Sequence, residues 1–296
     1  MTNRRKRSIR RVAVITGTRA EYGLLRSTIE AVRRRKSLKL QLVATGMHLL
    51  KKFGHTVDQV RRDGWHVDAR IKMQSGDDDP LDQAAGLARG VSGIAKFLED
   101  ARTDVVVVLG DRIEALAGAL ACVTTGRVLA HIHGGDVARG DFDEGLRHAI
   151  TKLAHLHFAA TRQARRRIVR MGEREANVHF VGAPGLDGLA ELVRRSRKSR
   201  DSSGRLLIVQ HPCGRSAVAE KRVMNALIRA VKNTGRPHTI LYPNSDRGHS
   251  GIIEAIIAHR RRSANGMVRV EKHLPRDQYL RCLIDADALV GNSSSG

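Results

Sequence analysis

The stretch Asp104–Gly110 (DVVVVLG) constrains the fold of this chain more than any other. Its apolar residues are consecutive and do not alternate with polar ones, so both faces of a strand made from them must be covered. A parallel sheet with helices packed on both sides meets that condition. The flanking sequence supplies such helices. Strand-like segments Val12–Thr18, Leu38–Gly46, Arg127–His133, His157–Thr161 and Val178–Gly182 alternate with helix-like segments Leu24–Arg35, Ala84–Asp100, Ile113–Thr125, Glu144–His155 and Arg162–Met171. Near residue 185 the character changes, and the Ser-rich, charged run RRSRKSRDSSG (194–204) reads as a surface loop or linker. A second alternation follows, with strands at Leu206–Gln210, Thr239–Tyr242, Met267–Glu271 and Ala288–Gly291 and helices at Val218–Thr234, Gly251–Arg262 and Arg276–Ile284. No short-period repeat is visible. The pattern predicts an α/β chain of two Rossmann-like doubly wound domains, residues 1–185 and 186–296.

Composition narrows the partners. Aromatic residues make up only 3% of the chain, so the core is expected to be Ala, Val, Leu and Ile. No apolar run reaches the roughly 18 residues of a membrane-spanning helix. The basic start MTNRRKRSIRR carries no apolar signal-peptide core. Cys122, Cys213 and Cys282 are far apart and form no metal-ligand pattern, which suits a reducing cytoplasm. The net charge of +23 divides into +13 over residues 1–185 and +10 over 186–296. Much of it sits in Arg33–Arg35, Arg165–Arg167 and Arg260–Arg262, read as solvated helix faces. With 3 Tyr, 5 Phe and 1 Trp there are few platforms for stacking bases, and a nucleic-acid partner is disfavoured. A positive field of this kind suits a small anionic substrate.

In doubly wound sheets functional groups gather beyond the carboxyl ends of the strands. After the first strand comes Gly17-Thr18-Arg19, a turn that can present N–H groups and a guanidinium to phosphate. After the valine run comes Gly110-Asp111-Arg112, where Asp111 either caps the next helix or does chemistry. After the next strand lies the densest titratable cluster: His131, His133, Gly134, Gly135, Asp136, Asp141, Asp143, Glu144, Arg147 and His148. His131 and His133 have the spacing of a metal pair, but no third ligand matches. In the second half, His211-Pro212, Pro243-Asn244 and Gly291–Gly296 (GNSSSG) each follow a strand, and three such turns on one sheet edge point to a phosphate site.

These residues resemble the UDP-N-acetylglucosamine 2-epimerases, and more closely the hydrolysing branch that feeds sialic acid synthesis. The resemblance rests on GTRAEYGLL (17–25), VATGMHL (43–49), LGDRIEALA (109–117), HIHGGDVARGDFDEGLRHAITKLAHLHF (131–158), VGAPGLD (181–187), QHP (210–212), LYPNSDRG (241–248) and GNSSSG. It implies the GT-B architecture, with an acidic catalytic N-terminal domain and a UDP-binding C-terminal one. It implies that UDP-GlcNAc loses its C2 proton and UDP to give a glucal, which water converts to ManNAc. It also implies a UDP-sugar substrate, no metal or nicotinamide cofactor, and a homodimer or higher oligomer in the cytoplasm.

Asp111 and Asp143 match the family's acidic catalytic residues, and His211 matches a histidine near the nucleotide phosphates. Arg19 matches an arginine that faces the substrate, with Arg112 and Asn244 as further substrate-binding candidates. Ser293 and Ser294 match the serines that hold the diphosphate. His133 stands where some members have Glu, and Asp136 where related members have Glu; both join the catalytic candidates. The family pattern continues past GNSSSG, so the second domain is expected to be incomplete at Gly296. A UDP-2,4-diacetamido-trideoxy sugar as substrate, a GT-B glycosyltransferase and an inactive fragment are the alternatives.

Overall fold

The computed structural model describes residues 9–137, 143–196, 204–263 and 266–293. The first half runs β1 (Arg10–Thr16), α1 (Arg19–Arg34), β2 (Leu38–Thr45), α2 (Val57–Arg62), β3 (Ala69–Ile71), α3 (Pro80–Asp100), β4 (Val105–Leu109), α4 (Ile113–Thr124), β5 (Val128–Ile132), α5 (Asp143–Leu153), β6 (Leu156–Ala159), α6 (Arg162–Arg170) and β7 (Val178–Phe180). The second runs α7 (Leu189–Ser196), β8 (Leu206–Val209), α8 (Ala217–Lys232), β9 (His238–Leu241), α9 (His249–Arg261), β10 (Val268–Glu271), α10 (Arg276–Asp285) and β11 (Ala288–Gly291).

The strands form two parallel sheets, one of seven strands in the order β3-β2-β1-β4-β5-β6-β7 and one of four in the order β10-β9-β8-β11. Both are doubly wound, with the order reversing at β1/β4 and at β8/β11. This is the expected two-sheet α/β class. The valine run behaves as its sequence requires. Val106 and Val108 enter one apolar cluster with Ala13, Ile15 and Ile94, while Val107 and Leu109 enter another with Val14, Leu25 and Ile29. Each fully buried aliphatic side chain of this kind contributes about 1.5–3 kcal/mol. Helix α4 fits closely because it offers Ala115, Ala117, Ala119 and Ala121 to the core.

Two helix starts differ from the apolar spacing, α3 beginning at Pro80, four residues before Ala84. Helix α1 starts at Arg19, five residues before Leu24. Its polar first turn is held by a capping box: Thr18 accepts from the Glu21 N–H, and the Glu21 carboxyl accepts from Gly17 N–H at 2.7 Å and Thr18 N–H at 3.3 Å.

The chain divides into two compact units. One comprises Met1–Leu50, His55–Ser75 and Gln83–Asp187; the other comprises Lys51–Gly54, Gly76–Asp82 and Gly188–Gly296. Two short pieces of the first half therefore belong with the second sheet. Asp78 fastens one of them to the start of α9: its carboxylate accepts from Gly248 N–H at 2.6 Å, from Ser250 N–H at 3.0 Å and from the Ser250 hydroxyl. Lys52 fastens the other by donating to His249 Nε2 at 3.1 Å. Among the described residues no helix is long and apolar enough to cross a membrane.

Candidate active site

In the first unit the turns after β1 and β4 sit at the point where the strand order reverses, and the turn after β5 is the next along the same edge. Parallel sheets of this kind bind ligands there. The reading of Asp111 as a helix cap is not what the structure shows. Arg112 is the N-cap residue of α4 and makes no side-chain cap bond. The Asp111 carboxylate instead pairs with the Arg147 guanidinium, which rises from α5 and is nearly buried. Burial alone lowers the pKa of Arg147, so the carboxylate beside it supplies the compensating charge.

Arg112 is braced from behind. Its Nε donates to Glu114 Oε2 at 3.2 Å, and Glu114 is fully buried, accepting also from Gln74 Nε2 at 3.2 Å. Room for this carboxyl comes from Gly17, where a Cβ would overlap the Glu114 side chain. Glu114 belongs to the charged triplet that the sequence places directly after the valine run, with Asp111 and Arg112, but its bracing role and its partner Gln74 were missed, since a Glu in a helix's first turn is commonplace.

The turn after β5 gathers the strongest geometry. His133 adopts φ +64°, a left-handed conformation that is uncommon for a residue with a Cβ. Its Nδ1 lies 2.8 Å from Asp136 Oδ2, and its Nε2 is buried with no hydrogen-bond partner among the described residues. Non-glycine residues held at positive φ cost energy and cluster at active sites. Two residues on, Gly135 has φ +75°, and a Cβ there would lie 2.5 Å from the Ala164 carbonyl oxygen. Arg167 of α6 bonds the Gly135 carbonyl, so one member of the Arg165–Arg167 cluster holds this turn and is not simply solvated.

His131 has a different role. It is fully buried, with Nε2 2.8 Å from the Gly110 carbonyl and Nδ1 3.2 Å from the Thr151 hydroxyl. Burial lowers its pKa to about 4, so it is a neutral strut between β5 and the turn that carries Asp111. Both of its nitrogens are engaged, and it forms no metal pair with His133. Asp143 begins α5, and Glu144 follows in its first turn. Asp141 lies outside the described residues.

Arg19 opens α1 beside this edge. Burial lowers its guanidinium to about 10, opposed by the charge of Asp63, so it stays cationic at neutral pH. Its Nε is buried with no hydrogen-bond partner among the described residues. A desolvated cation in this state is suited to an anionic ligand.

In the second unit the reversal at β8/β11 brings together the turns that carry His211 and Asn292. Asn292 Oδ1 accepts from His211 N–H at 2.7 Å, and Asn292 Nδ2 donates to the His211 carbonyl at 3.0 Å. The Asn244 N–H donates to His211 Nδ1 at 3.2 Å, while the Asn244 side chain closes a local turn by accepting from Asp246 N–H at 3.3 Å. Ser293 follows Asn292 directly; Ser294 lies outside the described residues.

Comparison with known proteins agrees with this layout. The profile of the protein family described as UDP-N-acetylglucosamine 2-epimerase matches residues 30–296. The chain is 35% identical over 295 residues to a protein named UDP-N,N'-diacetylbacillosamine 2-epimerase (hydrolyzing) from Legionella pneumophila, covering 97% of this chain and 77% of that one. It is 30% identical over 296 residues to a UDP-N-acetylglucosamine 2-epimerase from Neisseria meningitidis, covering 97% and 76%. The crystal structure of the UDP-GlcNAc 2-epimerase from Neisseria meningitidis bound to UDP-GlcNAc shares its fold at a TM-score of 0.76 and 17% identity, over 96% of this chain and 78% of that one. The sheet order, the GT-B-like neighbour and the family match over most of the length lead to one assignment: this chain belongs to the UDP-N-acetylglucosamine 2-epimerase family.

Proposed function

We propose that the chain is a hydrolysing 2-epimerase that converts UDP-GlcNAc and water into UDP and ManNAc, for sialic acid-type sugar synthesis in the cytoplasm. The observation that carries this reading is the His133–Asp136 pair, a half-buried imidazole oriented by a carboxylate, whose other nitrogen is buried and unengaged among the described residues. Elimination needs a base for the C2 proton, and hydration needs a group that returns one. As the proton leaves C2, the C1–O bond to the diphosphate breaks, releasing UDP and a glucal. Water then adds its hydroxyl to C1, and C2 takes a proton on the opposite face.

His133 and Asp136 are assigned to proton transfer, with Asp111 and Asp143 as the further acids. The Arg147 guanidinium orients the Asp111 carboxylate. Arg19 and Arg112 supply cations for charge that develops on the leaving diphosphate. His211, Asn244, Ser293 and Ser294 are assigned to the nucleotide. The reading includes a homodimer or higher oligomer and requires no metal or nicotinamide.

The test is incubation with UDP-GlcNAc in D2O, followed by NMR. Free UDP and ManNAc with deuterium at C2 are expected. Formation of neither product, beside an active family member, refutes the proposal. A second substrate is favoured by the name of the relative at 35% identity, so a UDP-2,4-diacetamido-2,4,6-trideoxy sugar is run side by side. Faster turnover of that sugar would reassign the substrate and leave the chemistry in place.

A further inference from the structure

We propose that Asn292 is a positioning residue that presents His211 to the nucleotide as a fixed Nε2–H donor. This deepens the assignment of His211 to the diphosphate and rests on it. Strand β11 pairs with β8 in parallel register up to Gly291 opposite Val209. There the β11 backbone turns away, with Gly291 at φ +140°. The Asn292 carboxamide then does what the next peptide group would have done. Its oxygen accepts the His211 N–H, and its nitrogen donates to the His211 carbonyl. The same nitrogen lies 3.2 Å from Cys213 Sγ, two residues further along that turn. One side chain thus closes on both main-chain groups of His211, and the sheet ladder gains a rung where the strand itself has ended.

The neighbour on the other side completes the arrangement. Beyond β9, the backbone N–H of Asn244 points at His211 Nδ1. An imidazole nitrogen that accepts an N–H carries no proton, so the ring proton resides on Nε2. Three adjacent strand ends therefore act on one histidine: β8 carries it, β9 sets its tautomer and β11 holds its backbone in place for that bond. A neutral N–H held in one direction is a hydrogen-bond donor matched to a phosphoryl oxygen, with no rotamer or tautomer left to select on binding. Asn is suited to the task because it offers an acceptor and a donor from one planar group; Asp retains the acceptor and lacks the donor.

The experiment uses the full chain labelled with 15N at histidine. Ring 15N spectra read the tautomer of His211, and calorimetry reads UDP binding, in wild type, Asn292→Ala and Asn292→Asp. Asn292 is exposed in a turn, and circular dichroism melting verifies that each variant is folded. Wild type is expected to hold His211 in the Nε2–H form. In Asn292→Ala the ring should average between tautomers and UDP should bind about ten-fold more weakly, equivalent to roughly 1.4 kcal/mol. Asn292→Asp should retain more of the Nε2–H form than the alanine variant. A ring that stays wholly Nε2–H in Asn292→Ala, or an unchanged UDP affinity, overturns the proposal. If wild type binds no UDP, the assignment of His211 to the diphosphate fails instead, and the ring spectra alone then decide whether Asn292 holds the imidazole.

Discussion

Replacing Glu21 with Gln tests the energetics of the first unit at its most unusual carboxyl. Glu21 is 6% exposed and sits in the capping box of α1. Burial raises its pKa from 4.5 to about 8, opposed by the Gly17 N–H bond and reinforced by the charge of Glu114. Between those two values the folded chain retains a proton that the unfolded chain has released. Stability therefore falls as pH rises through this window, and the loss is complete above it. Each pH unit inside the window is worth about 1.4 kcal/mol, and the slope flattens as pH 8 is approached, so the step from pH 6 to pH 8 comes to roughly 2 kcal/mol. Gln cannot ionise and keeps an acceptor for the Gly17 N–H. The difference in unfolding free energy, wild type minus Glu21→Gln, should fall by that amount from pH 6 to pH 8. Urea titrations followed by tryptophan fluorescence measure it, because Trp65 is the single tryptophan and belongs to the first unit. A difference that is flat, or that grows with pH, refutes the reasoning. It would mean that the two N–H bonds hold an ionised carboxylate and outweigh its burial.

Three other outcomes are expected. Asp111→Asn should lower UDP release from UDP-GlcNAc by about a hundred-fold or more, and should cost about 1–3 kcal/mol in chemical denaturation because Arg147 loses its charged partner. Asp136→Ala should lower turnover to a similar degree, about a hundred-fold, and His133 ring 15N spectra should show a single tautomer in wild type and a mixture in the variant. Asp78→Ala should speed amide exchange at Gly248 and Ser250, with a loss of about 1–2 kcal/mol as the start of α9 loses its cap. Burial acts to raise the Asp78 pKa, but the bonds from Ser250 and Gly248 outweigh it and hold the pKa below the usual carboxylate range. The advantage of wild type over Asp78→Ala should therefore vanish as pH falls through that lowered value, as melting curves across acidic pH would show.

The architecture was legible where one physical demand dominated. The run from Val105 to Leu109 admits little besides a doubly covered strand, and the alternation around it admits little besides a parallel sheet. The start of α1 was not legible from apolar spacing, because its first turn is specified by Thr18 and Glu21 bonding back to the backbone. Asp111 shows a second limit. A cap and a salt bridge use the same residue type at the same place, and the choice is made by Arg147, which lies 36 positions further along the sequence. The candidate site could be read as a set of turns after strands, and His133 and Asp136 were visible because the cluster was dense. Glu114 and Asn292 stood within those turns, but that Glu114 lies behind Arg112 and Asn292 against His211 was not visible. Their roles depend on the register of β4 and β11 against their neighbours, which hydrophobic patterning does not encode.

The attachment of Asp78 to α9 has a consequence for biogenesis. Its partners lie 170 and 172 residues further along the chain. At roughly 5–20 residues per second, a ribosome needs on the order of 10–30 s to cover that distance. During this interval the rest of the first sheet is being made, while the α9 backbone groups that Asp78 will cap do not yet exist. Cutting the gene at residue 187, in turn, separates the second sheet from the piece that carries Asp78. Such a product would begin α9 without the carboxylate that closes it, and supplying residues 76–82 as a separate peptide should restore the missing cap.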